Sequence, residues 1–561
     1  MPLTRNASGW TDWTQASGGN TVYVAANGND SNAGTIGSPK LTLSAGYNAL
    51  RDGFPDRVAL RYGDVWNEAF PSWRKSGPSA AEPMGVLAYT DGTAGHLESN
   101  NPPRINTASD VFENSTWYAG GGGGANLSPM NNLAWLNFDI TGPGHSGAGW
   151  STITRGSNWL LEGIRVSGKS NAFGIVNNVL TGGCETPPGG FTHQNTNITN
   201  ATLRRCVFFD NAGASHTFGA YIGGHAGSWL MEDCWLIDNA YPDIFSHQIY
   251  IDDTRGNTNT LWSIVNCGFA ENGQASHGIQ LRPGGVFTNC IAIRCAIGFQ
   301  MGSGGCEQGT DMDPRSTLTS GFDLCGVIDG RDIGSSATPR GWAYEFMGIG
   351  GGFIRRCFGK DNAGSYRKAL YLESRGTGTH GLTIEDNKFI NFGPFNLEGT
   401  QGELSGIVFR RNDFQQSGSF SLPIIEHEQS TANTQTFAES ANNRFYSPTN
   451  LSTQSGWTST GTLTQWKNAV GDSTSTASQV TYTDSARTLK TYLESLGFTP
   501  ASADAAYAQW KTLVTGQRRA TWNDAYTSRA LLTYLRVGLD METSTPPPTP
   551  SPAYYRANFL A

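Results

Sequence analysis

A degenerate repeat through the middle of the chain constrains the fold more than any other feature. Trp159-Leu160-Leu161-Glu162-Gly163-Ile164, Ala201-Thr202-Leu203-Arg204-Arg205-Cys206 and Trp229-Leu230-Met231-Glu232-Asp233-Cys234 share one pattern, as do Trp262-Ser263-Ile264-Val265-Asn266-Cys267 and Gly285-Val286-Phe287-Thr288-Asn289-Cys290. It returns at Gly352-Phe353-Ile354-Arg355-Arg356-Cys357, Leu382-Thr383-Ile384-Glu385-Asp386-Asn387 and Ile407-Val408-Phe409-Arg410-Arg411-Asn412. Cys206, Cys234, Cys267 and Cys290 follow each other in steps of 28, 33 and 23 residues, and the longer step to Cys357 predicts an insertion. One short strand cannot bury its own inner face, whereas stacked coils bury it against each other. The reading is an all-β chain, a right-handed parallel β-helix solenoid. Its cysteines form one interior file that Asn387 and Asn412 continue. A linear file of small buried thiols suits packing; it does not converge as metal ligands must, so no metal site is predicted.

A second column of short strands sets the register: Gly219–Gly223, Gln248–Asp252, Gly278–Arg282, Gly298–Gly302, Ala343–Met347 and Ala369–Glu373. Their second and fourth positions are apolar and point inward by alternation. The first positions, Gly219, Gln248, Gly278, Gly298, Ala343 and Ala369, are nearly all small and predict the floor of a groove. The middle positions are Tyr221, Tyr250, Gln280, Gln300, Glu345 and Tyr371; the last include Asp252, Arg282 and Glu373. Aromatic faces, amides and a few charges beside a shallow floor suit a sugar chain, which offers C–H faces and many hydroxyls. Tyr221, Gln280, Gln300 and Tyr371 are the expected substrate contacts. His247 and His277 precede two of the strands at equivalent places. Parity turns them inward or onto the corner as a stacked pair, and the alternative is a role at the substrate.

Two catalytic constellations fit. Glu345 and Glu373 lie one coil apart and two residues out of register, about 8 Å from strand geometry, a spacing for inverting glycoside hydrolysis. Alternatively Arg282 neutralises a uronate carboxylate while Tyr250 or a histidine abstracts the C5 proton, with Asp252 and Asp253 nearby, as in a lyase. Asp252 and Asp253 could also contribute to a calcium site; no other cofactor is expected. The long insertion, residues 303–341, is predicted to overhang this face.

The N-terminal part carries Thr21-Val22-Tyr23-Val24, then Asn27-Gly28-Asn29-Asp30-Ser31-Asn32-Ala33-Gly34-Thr35 with Pro39. A stretch follows in which Leu43, Tyr47 and Leu50 share one helix face, expected to plug the open end. This opening, with the coils that follow, resembles pectin-lyase-like right-handed β-helix proteins over roughly residues 20–445. That group includes polysaccharide lyases, glycoside hydrolases, epimerases and phage tailspikes. The resemblance implies a polysaccharide partner and a depolymerase, with a homotrimeric virion spike as one setting. A non-catalytic structural or receptor-binding virion protein is the rival.

Four segments are expected: 1–105 with the cap helix and first coils, 106–445 the β-helix, 446–540 with short helices, and 541–561 as a Pro-rich tail. Asp484 is the predicted cap of a helix bearing Leu489, Tyr492, Leu493 and Leu496. Two more helices carry Tyr507, Trp510 and Leu513, then Leu531, Leu532 and Leu535. A net charge of −8 without a long basic run makes nucleic acid a poor partner. No stretch of about 18 apolar residues predicts a membrane span. Met1–Asn6 leads into no apolar signal region, which predicts synthesis in a cytoplasm, with release in a virion as a fitting exit.

Overall fold

The computed structural model describes residues 3–90, 101–113, 130–151, 156–174, 198–211, 219–221, 227–239, 247–252, 260–271, 277–281, 284–302, 320–331, 341–361, 368–374, 378–393, 395–398, 403–416, 423–427, 436–448, 452–455 and 459–541. Within them the chain winds as a parallel β-helix. Three long sheets make up most of it. The first has fourteen strands, from Thr21–Val24 to Phe437–Ala441. The second has thirteen, from Val65–Trp66 to Arg444–Tyr446. The third has ten, from Gly219–Tyr221 to Ser459–Thr462. Each strand pairs in parallel with its equivalent one coil on, as Trp229 with Trp262 and Phe269 with Ala292. The third sheet ends in an antiparallel hairpin, Ser452–Ser455 with Ser459–Thr462.

The corner from first to second sheet explains the sequence repeat. One residue per coil there adopts left-handed backbone: Asn137, Arg205, Asp233, Asn266, Asn289, Leu324, Arg356, Asp386, Arg411 and Asn442 have φ of 50–60°. Asn and Asp tolerate that region best, which accounts for their frequency just before the Cys or Asn. The next residue then turns inward. Cys206, Cys234, Cys267, Cys290 and Cys357 stand in one buried file, continued by Asn387 and Asn412. Rung bonds join them: Cys206 N–H donates to Cys234 Sγ at 3.4 Å, and Cys357 N–H to Asn387 Oδ1 at 2.9 Å. The step from Cys290 to Cys357 contains more than an insertion. It holds a whole coil whose strands Gly321–Asp323 and Gly326–Ile328 flank Cys325, another member of the file. Aromatic stacks hold the remaining interior in register, for example Trp229 on Trp262 at 4.7 Å and Phe299 on Tyr344 at 5.5 Å.

Helix α1 (Leu43–Asn48) buries Leu43 and Tyr47, with Leu50 just beyond, against Val24, Val58 and Leu60 at one end. Helix α2 (Leu463–Val470) closes the other by adding Leu463, Trp466 and Val470 to the same core. Its capping box, Thr462 with Gln465, and left-handed Gly471 fix both termini. Three further helices are α3 (Leu489–Ser495), α4 (Ala503–Thr515) and α5 (Ser528–Gly538). The cap of α3 is Thr488, whose side chain accepts from Thr491 N–H; Asp484, the expected cap, instead pairs with Arg487. The three helices turn back along the solenoid and cover the outer side of the second sheet. Trp510, Leu531, Leu532 and Leu535 pack on Val207, Trp235, Ile237, Ile291, Ile293 and Phe358 there. Beyond α4, Arg519 donates to Thr11 O at 2.7 Å and pairs with Asp12, which ties the helical region to the N-terminal segment.

Candidate functional site

The third sheet positions the polar face, and its entry bend breaks the expected alternation. Gln248 bonds to Asn239 and Glu271 inside the turn. A Cβ on Gly278 would lie 3.1 Å from the buried Cys295 Sγ, and one on Gly298 2.9 Å from Val327 Cγ2. Ala343 and Ala369 are core residues. The small first column therefore points inward and forms no groove floor. At Gly278 and Gly298 it is small because Cys295 and Val327 fill the space a side chain would need. Two consecutive inward residues reverse the parity of the position before them. His247 consequently lies on the outer face, where its Nε2–H donates to Gln280 Oε1 at 2.7 Å, rather than inside.

The outer face carries three columns. The middle one reads Tyr250, Gln280, Gln300, Glu345, Tyr371, Asn396 and Glu426 in register. Gln300 donates through Nε2 to Glu345 and lies 3.4 Å from Met347 Sδ. Asn396 Nδ2 donates to Glu426 at 2.5 Å. In the last column Glu373 pairs in register with Glu398, a second carboxylate that the five-residue strand pattern did not reach. Glu345 is 1 % exposed, and Glu373 and Glu398 are each 5 % exposed, so the carboxylates are recessed. The column before the bend contributes Trp342 and Lys368. Trp342 lies 4.8 Å from the Tyr371 ring, and Lys368 Nζ sits 3.7 Å above that ring. Among the described residues of these columns, Tyr371, Lys368 and Glu426 are half-buried and reachable.

The predicted residues divide accordingly. Gln280, Gln300, Glu345, Tyr371 and Glu373 share the face with His247. Glu345 neighbours Tyr371 in the next coil, while Glu373 neighbours Met347 in the preceding one, so the diagonal placement of the two carboxylates stands. Tyr221 does not continue the Tyr250 position: it pairs with Asp252, and Gly219 pairs with Tyr250, a two-residue shift. For Tyr221, Tyr250, Asp252 and His277 the structure describes only the backbone, and Arg282, Asp253 and the insertion at 303–319 lie outside the described residues. Among the described residues no group of three His, Cys, Asp or Glu could hold a metal, and no helix is long and apolar enough to cross a membrane. Glu398 and Glu426 were legible in principle, since Phe395-Asn396-Leu397-Glu398 and Ile425-Glu426-His427 keep the alternation.

No family model matches the chain, and no curated protein matches it. Among solved structures it is similar to a rhamnogalacturonan lyase, at 14% identity and a TM-score of 0.36, over 64% of this chain and 86% of that one. It is also similar to a mannuronic-acid-specific polysaccharide lyase from human gut microbiota, at 11% identity and 0.40, over 92% and 99%. A third is a lacto-N-biosidase from Eubacterium ramulus, at 12% identity and 0.25, over 76% of this chain and 64% of that one. At these values the likeness carries no residue's role across to this chain.

Proposed function

We propose that the chain binds a polysaccharide along the outer face of the third sheet and cleaves it with the carboxylates recessed there. The observation that carries the reading is the in-register pair Glu373 and Glu398 beside the Trp342, Tyr371 and Lys368 cluster. Neighbouring coils put two such carboxyl groups about 5 Å apart, which suits a double displacement with retention. One attacks the anomeric carbon while the other protonates the leaving oxygen, then activates water. The diagonal pair of Glu345 and Glu373, about 8 Å apart, suits inversion instead, and Glu373 belongs to both. The aromatic pair offers a stacking platform for a sugar's C–H face.

The test is incubation with neutral and acidic polysaccharides, with and without a calcium chelator. New reducing ends alone support hydrolysis. Reducing ends with absorbance near 235 nm indicate the lyase reading through Tyr250 and Arg282. Binding without cleavage supports a receptor-binding protein, and no binding to any glycan removes the reading. The setting is part of the proposal: a homotrimeric virion spike, supported by the elongated solenoid and the Pro-rich, aromatic tail of residues 545–560. Light scattering should then give three times the chain mass, and a monomer at micromolar concentration would count against it.

A further inference from the structure

Just past the last column the chain turns from the third sheet to the first, and this corner carries polar side chains. Thr379–His380 pairs in parallel with Leu404–Ser405, one coil on, as a short sheet of its own. Thr379 is buried and its Oγ1 donates to Glu373 O at 2.8 Å, so the turn after Glu373 is tight and the corner adjoins that carboxylate. Leu404 is buried likewise. Alternation therefore points His380 and Ser405 outward. Both are half-buried, and His380 Nδ1 lies 2.8 Å from Ser405 Oγ. A hydroxyl both donates and accepts, so this bond leaves Ser405 able to take a further partner. The residues that follow, Gly381 and Gly406, have left-handed backbone with φ of 63° and 67°, as has Gly351 one coil earlier at 78°. That conformation alone does not demand glycine. Where the same three coils turn from the first sheet to the second, the left-handed positions hold Arg356, Asp386 and Arg411. A Cβ on Gly381 would lie 3.9 Å from its nearest neighbour, Gly351 Cα, so there is space for a side chain as well.

Two carboxyl groups that act on one glycosidic bond flank it. Glu373 and Glu398 are stacked along the solenoid axis, in register on neighbouring coils. A polymer held between them consequently runs across the coils, in the direction of the strands. On one side Tyr371 stands two residues before Glu373, about 7 Å away, with Trp342 and Lys368 against its ring. On the other side lies the corner of His380 and Ser405. Along the axis, by contrast, the middle-column residues before Tyr371, namely Glu345, Gln300 and Gln280, are all buried. Resting on the carboxylate pair of the proposed function, we propose that His380 and Ser405 hold hydroxyls of the sugar unit on the far side of the cleaved bond from Tyr371. The polysaccharide then crosses the coils instead of following the axis, and the glycines keep their own side chains out of its way.

Calorimetric titration of the full chain tests this, with oligosaccharides prepared from the panel polysaccharide that the wild-type chain binds. Ser405→Ala and His380→Ala should each weaken binding about fivefold to tenfold, as the loss of a hydrogen bond does. Thermal midpoints should stay at the wild-type value, and turnover at saturation within about threefold of it. Gly381→Asn keeps a residue that tolerates left-handed backbone and adds a side chain to the corner; it should weaken binding at least as much. Gln280→Ala, on the axial route, should weaken it less than Ser405→Ala does. Wild-type affinity in all three corner variants overturns the site. A larger loss in Gln280→Ala than in Ser405→Ala overturns the crossing. Binding without cleavage removes the catalytic reading alone, because the same affinities still decide the corner, and no binding to any glycan removes both.

Discussion

Asn412 shows how much a single interior position carries. Its Nδ2 donates to Ile384 O and Asn443 Oδ1, each at 3.0 Å, while its Oδ1 accepts from Asn387 N and Nδ2. Asn412→Ala removes four buried hydrogen bonds at once and should cost about 3–5 kcal/mol. Cys234→Ala loses only a small thiol and should cost about 1–2 kcal/mol. Urea unfolding of both variants checks the ranking. Asp233 supplies a pH test. Burial, reinforced by Glu232, pushes its carboxyl up to about 6 from 3.8. The folded state therefore binds this proton more tightly than the unfolded chain. The stability it contributes is fully present below about pH 3.8 and is lost as pH rises through 6. Asp233→Asn, which tolerates the same left-handed backbone, should stabilise the protein at pH 7 by about 1–2 kcal/mol, with no gain near pH 4. Equal gains at both pH values would contradict the assignment. At this scale the interior file was readable because Cys and Asn recur after the same pattern. For His247 parity left the interior and the corner both open, because no periodicity announces the bend at Gln248 beside which it is buried.

At the scale of elements, the helices were legible from their apolar faces but their docking was not. Trp510 lies 5.4 Å from Trp235 on the second sheet. Trp510→Ala should cost about 3–5 kcal/mol, and the loss should fall on α3–α5 alone. Limited proteolysis should then cut between the solenoid and α3 at low protease, while the β-sheet circular dichroism signal persists; simultaneous loss of both would show that helices and coils unfold as one unit. Helix α2 carries equally plain signals, with Thr462 and Gln465 spelling a capping box and Leu463, Trp466 and Val470 on one face. The register slip at Tyr221 has a different cause. Gly219-Ala220-Tyr221 and Gln248-Ile249-Tyr250 alternate equally well, and only pairing across the coils separates a two-residue shift from none.

For the molecule as a whole, stacked coils turn a local repeat into a long face on which equivalent side chains recur one strand spacing apart. That geometry brings Glu373 beside Glu398 although 25 residues separate them in sequence. Fold class was readable from the repeat alone, whereas the in-register placement of Glu373 and Glu398 was not, because Glu398 lies beyond the six strands whose alternation sets the column. The most direct measurement is reducing-end release from a polysaccharide that the wild-type chain cleaves, compared among wild type, Glu373→Gln, Glu398→Gln and Glu345→Gln with matched thermal midpoints. The account predicts that Glu373→Gln and Glu398→Gln each lower turnover by about 10³-fold or more, with glycan binding retained and Glu345→Gln less affected. Wild-type turnover in both Glu373→Gln and Glu398→Gln would contradict it.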